Sequence, residues 1–114
     1  MKLPALSLFI LALATAGQPL HAQDRGDPAR GLALAREVCS ACHAIQAQQL
    51  QSPHARAPTF LALATTPGMT ATALTVALTT PHAGMPMFRL STDQRESIIA
   101  YILGLKQAGS PPGK

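Results

Sequence analysis

The chain has 114 residues, 47% of them apolar, with nine basic and five acidic side chains and no Trp. This length allows one small domain and excludes a second hydrophobic core. The charges are scattered, with no basic run and no interleaved aromatics, so they read as a solvated surface and give nucleic-acid binding no support.

The first segment reads as a secretory signal. Lys2 provides a positive start, residues 3–16 (LPALSLFILALATA) an apolar stretch, and Leu20-His21-Ala22 a small residue before the expected cut. Crossing a membrane takes about 20 apolar residues, and Gln18 and Pro19 interrupt the run first. Residues 1–22 are therefore expected to be removed near Ala22, although Leu20 is large for the position three residues before a cut. Residues 23–27 then form a short N-terminal extension. Without the signal, eight basic and five acidic groups leave a balance of +3. Export places the protein in the periplasm, an oxidising space.

Asp27 followed by Pro28 predicts an N-cap and first position for a helix over 28–42. Leu34 and Val38 lie one turn apart on it, with Gly31 and Ala35 forming a flat strip beside them. Its C-terminal end carries Cys39-Ser40-Ala41-Cys42-His43. A polar loop (46–58, QAQQLQSPHARAP) follows, and after Pro58 the run TFLALA (59–64) predicts a short helix. Pro67-Gly68 is a turn, Thr70 caps a helix through Leu78, and Pro81 stops it. A second loop over 81–90 (PHAGMPMFRL) holds two prolines, a glycine and two methionines. Ser91 with Gln94 makes a capping box for a last helix over 92–106, where Ile98, Tyr101, Ile102 and Leu105 recur at helical spacing, and residues 107–114 read as a flexible tail. No strand-like alternation is visible, so an all-α fold is expected.

Cys39 and Cys42 are the only cysteines. A disulfide closing so short a loop stabilises little. Structural zinc asks for four N or S ligands, commonly from two paired knuckles, and no second pair exists. A thioredoxin-type thiol pair belongs with a strand–helix–strand pattern, which is absent. Covalent haem attachment needs what is here: two thiols to add across the porphyrin vinyl groups and an adjacent histidine, His43, to bind iron. A large flat cofactor also suits a domain with so few aromatics, since only Phe60, Phe88 and Tyr101 follow the signal. The sixth iron position is open to a thioether, and Met69, Met85 and Met87 are the candidates. Met69 precedes a helix and reads as a gap filler, whereas Met85 and Met87 stand in a Pro/Gly-punctuated loop that can aim a side chain. His54 and His82 are further nitrogen donors in polar loops. Arg56 is a possible partner for a haem propionate and otherwise a surface arginine.

Together, Gly31, CSACH, Ala57-Pro58-Thr59-Phe60, Gly84-Met85-Pro86 and the closing LSTDQRESIIAYILGLK resemble a small class I monohaem c-type cytochrome over residues 28–106. The resemblance implies about four short helices wrapped around one covalently attached haem c. It implies that His43 and Met85 are the axial iron ligands, with Met87 the alternative. It also implies that the carbonyl of Pro58 accepts a hydrogen bond from the His43 ring, and that the first and last helices cross at Gly31 and Tyr101. Ala35 and Ala57 depart from the family pattern, where an aromatic and a glycine are common. The function implied is one-electron transfer by a soluble periplasmic carrier, a monomer meeting redox donor and acceptor proteins transiently and catalysing no reaction of its own. A haem subunit held permanently in a dehydrogenase or oxidase complex is the alternative; a gas-binding or peroxidase-like protein would need a vacant sixth position.

Overall fold

The computed structural model describes residues 26–109. The expected signal, its cleavage site and residues 110–114 lie outside this range. Four helices are present among the described residues: α1 (Pro28–Val38), α2 (Phe60–Thr65), α3 (Ala71–Thr79) and α4 (Thr92–Ala108). There is no strand among them, and the one bridge pairs His82 with Met85.

Each helix begins where a short polar side chain can take up a free N–H group. Asp27 accepts from Ala29, Thr59 from Ala62, Thr70 from Ala73 and Ser91 from Gln94. The Gln94 side chain reciprocates to the Ser91 backbone, completing the capping box. Helix α1 ends at Val38, four residues before its expected limit. The hydroxyl of Ser40 donates to the Arg36 carbonyl at 2.6 Å, and the Ser40 N–H turns instead to Ala35 at 2.9 Å. A serine side chain competing for a helical carbonyl ends the ladder there. Helix α4 runs to Ala108, so Gln107 and Ala108, expected in the tail, are helical.

Helix α4 touches all three other helices and organises the core. Its Ile98, Ile99, Ile102 and Leu105 are buried with Ala35, Ile45, Phe60, Ala64 and Leu74. Against it, α1 buries the small strip of Gly31 and Ala35 most deeply, while Leu34 and Val38 are only half-buried. The crossing is close because Gly31 has no side chain. A Cβ there would lie 2.6 Å from the Ser97 carbonyl carbon and 2.9 Å from the Tyr101 Cβ, inside contact distance. Just before it, the Asp27 N–H donates to the buried Ser97 hydroxyl at 3.1 Å, fixing the start of α1 on α4. Met69 packs against this core, and its carbonyl accepts from the Lys106 ammonium at 3.4 Å.

Candidate functional site

The end of α1 gathers the two thiols and the imidazole on one turn. The Cys39 N–H still donates into the helix, to Ala35 at 2.9 Å, while its carbonyl accepts from both Cys42 (3.1 Å) and His43 (2.9 Å). This shared acceptor closes the C-x-x-C-H segment on itself, so Cys39, Cys42 and His43 follow one another within a turn. Cys39 is buried, with 8% of its surface exposed; Cys42 and His43 are half-exposed. Burial pushes the Cys39 thiol up from 9.0 to about 11. A redox or metal-binding cysteine needs the opposite shift, toward thiolate. A thioether at this buried position would carry no charge to desolvate. Among the described residues, no three His, Cys, Asp or Glu side chains are gathered to hold a bare metal ion.

The segment after His43 folds back to support it. The Nδ1 of His43 lies 2.7 Å from the Pro58 carbonyl oxygen. That oxygen can only accept, so the proton sits on Nδ1 and the neutral ring keeps its lone pair on Nε2, the nitrogen left to bind iron. The His54 N–H donates to the Cys42 carbonyl (3.1 Å) and the Phe60 N–H to the Ala44 carbonyl (2.9 Å), which brings the two ends of the loop together. Within it, Ser52 caps the Ala44 N–H, and the Gln49 side chain accepts from both Ile45 and Gln46. The His43 ring rests on Phe60 at 5.5 Å between centroids, and Phe60 rests on Tyr101 at 6.4 Å. The Tyr101 hydroxyl donates to the Ile45 carbonyl at 2.7 Å. Burial raises its pKa, with the Arg36 charge working in the opposite direction. Phe60 thus links the imidazole to α4, a role that no spacing in the sequence revealed; its place straight after Pro58-Thr59 is the available signal. An open cleft of about 650 Å³, lined by residues including Leu50, Ala57 and Pro58, borders this segment.

The methionines stand on the other loop. Gly84, with φ of 83°, turns the chain so that the Met85 N–H meets the His82 carbonyl at 3.4 Å; a side chain at this position would be strained. Met85 is half-buried and Met87 is 52% exposed. The His82 Nε2 lies 3.1 Å from the Met85 sulfur. His54 and Arg56 are exposed on the first loop. The structure therefore brings Cys39, Cys42, His43 and Pro58 into one unit, and Met85 with His82 into a second.

Two thiols and a tautomer-fixed imidazole on one turn of an all-α frame define a c-type cytochrome domain. The donor set fits its cofactor: two sulfurs for covalent attachment, an Nε2 lone pair and loop thioethers for iron. Residues 26–102 match the family described as cytochrome c oxidase, cbb3-type, subunit III, and the chain belongs to that family. No curated protein and no solved structure matches the chain significantly. The domain carries haem c covalently and transfers electrons, which implies redox partners.

Proposed function

We propose that the chain is an exported, soluble periplasmic electron carrier whose haem c is joined to Cys39 and Cys42 and ligated by His43 and Met85. The observation that carries this reading is the 2.7 Å contact between His43 Nδ1 and the Pro58 carbonyl, which prepares Nε2 as a donor beside the two thiols. The haem supplies one-electron exchange between ferric and ferrous iron. Each cysteine would hold the haem by addition of its S–H across one vinyl group, the sulfur joining one vinyl carbon and the hydrogen the other. The Pro58 carbonyl orients the His43 ring and increases its basicity. Met85 would offer the iron a neutral sulfur, the donor that with histidine raises the potential, and would deny small substrates access to the metal. Met85 is chosen over Met87 by the family resemblance of Gly84-Met85-Pro86 and by its greater burial. The signal is removed near Ala22, and the mature protein is a monomer.

Docking is brief and mainly apolar. Lys106 and Lys114 are the only lysines after the signal, so electrostatic steering is modest, while Leu50, Met87 and Phe88 offer exposed apolar surface. Electron-transfer rate should accordingly change little with ionic strength; a steep fall with salt would count against this mode of docking. The family description names an oxidase subunit, and this favours a second reading in which the domain is held permanently in such a complex. Co-purification with a stoichiometric partner would establish it. Among the described residues no helix is long and apolar enough to cross a membrane.

The ligand assignment is tested by absorption spectra of the haem-loaded wild type and of Met85→Ala and Met87→Ala. The thioether-to-ferric-iron band should vanish in Met85→Ala alone. Its loss only in Met87→Ala would overturn the choice.

A further inference from the structure

Three histidines are described, and their ring nitrogens meet different partners. In His43 and in His82, Nδ1 faces a backbone carbonyl oxygen, that of Pro58 at 2.7 Å and that of Thr80 at 3.1 Å. A carbonyl cannot donate, so the His43 proton is on Nδ1 and its lone pair on Nε2; the His82 Nε2 faces the Met85 thioether, which like the Thr80 carbonyl can only accept, so its two contacts do not fix one tautomer. In His54 the relation is reversed. Its Nδ1 accepts the Arg56 N–H at 3.3 Å, so the proton sits on Nε2 and blocks that nitrogen as a donor. Of the three, His82 is the one whose Nε2 lies beside the sulfur of Met85, at 3.1 Å.

We propose that His82 is a standby axial ligand, which takes the sixth iron position through Nε2 when the Met85 thioether is withdrawn. This rests on the reading of Met85 as the distal ligand. The two donor atoms are separated by only 3.1 Å. Exchanging them requires rotation of an exposed side chain on a loop that already turns at Gly84, and no helix has to move. The consequence is a haem that stays six-coordinate without its sulfur. Replacement of a thioether by imidazole lowers the reduction potential, since the His/Met pair is the one that raises it. It also keeps diatomic ligands and peroxides from a vacant iron position, so the domain remains an electron-transfer centre.

The haem-loaded Met85→Ala/Met87→Ala protein, which has no thioether on this loop, provides the test by absorption and electron paramagnetic resonance. The ferric thioether band should be lost while the iron remains low-spin, and the potential should fall. Adding His82→Ala should convert the iron to high-spin and allow carbon monoxide to bind the ferrous form; adding His54→Ala instead should change neither. A high-spin iron before His82 is altered would overturn the proposal, as would a low-spin iron that survives His82→Ala. Persistence of the thioether band in the starting double variant would overturn the Met85 reading itself and this proposal with it. Met85→Leu/Met87→Leu retains the apolar bulk of the loop and gives the same readouts should the alanine pair load haem poorly.

Discussion

Residues 39–60 and residues 81–90, which in the proposed reading supply the two iron ligands, are tied to the rest of the molecule very differently. The first segment buries Cys39, Ala44, Ile45 and Phe60, is closed by the bond from His54 to Cys42 and that from Phe60 to Ala44, and is joined to α4 through Tyr101. In the second, only Met85 and Leu90 are half-buried, and the backbone bonds of Met85 and Leu90 stay within the loop. The geometry around His43 is thus held by helix packing, while the Met85 loop is held by a turn at Gly84 and by the half-buried Met85 and Leu90. Packing is concentrated around the imidazole, and the loop proposed to offer the second donor is the more lightly held of the two.

The largest effect should come from Phe60→Ala. This ring is 3% exposed and lies between His43 and Tyr101, so its removal leaves a cavity under the imidazole. A loss of about 3–5 kcal/mol is expected by chemical denaturation, with a disturbed His43 environment in haem-loaded protein. A loss under about 1 kcal/mol would mean that this segment is no better anchored than the distal loop.

Next in size is a pH effect confined to the proximal side. In the haem-free chain the Cys39 thiol titrates at about 11 rather than 9.0 because it is buried. The unfolded chain loses this proton first, so the contribution is intact below pH 9 and is lost as pH rises from 9 toward 11. The amount is at most about 3 kcal/mol for a shift of this size. Cys39→Ser should abolish that slope in denaturation curves measured across the window, and haem attachment, which removes the thiol proton, should do the same.

Tyr101→Phe should cost about 1 kcal/mol, because the donor to the Ile45 carbonyl disappears while the ring remains. A neutral result would show that the proximal segment is joined to α4 by ring packing alone.

Legibility in the sequence followed the same division. The caps at Asp27, Thr70 and Ser91 announced three helix starts, because a side-chain oxygen facing a free N–H is a local matter. The apolar face of α4 and the small strip at Gly31 and Ala35 were likewise written in periodicity. The end of α1 was not, since it depends on Ser40 taking a carbonyl from its own helix. Neither were the stacking of His43 on Phe60 and the bond from Tyr101 to Ile45, which join residues far apart in the chain. Cys39, Cys42 and His43 could be singled out by spacing alone. Pro58 and Met85 were reached through the family resemblance, and the approach of the His82 ring to the Met85 sulfur depends on how the chain turns at Gly84.

The smallest expected effect is on the distal side. Met87 is 52% exposed, between Pro86 and Phe88 in a loop whose described hydrogen bonds do not involve it. Its truncation removes side-chain area already in water, so Met87→Ala should change stability by less than about 0.5 kcal/mol. Denaturation of the haem-free and haem-loaded forms separates two kinds of distal anchoring. A negligible change in the first form and a clear loss in the second would mean that Met87 packs only once the cofactor is present. A loss of several kcal/mol in both would place this loop on the same footing as residues 39–60, and the contrast between a packed proximal side and a lightly held distal one would no longer stand.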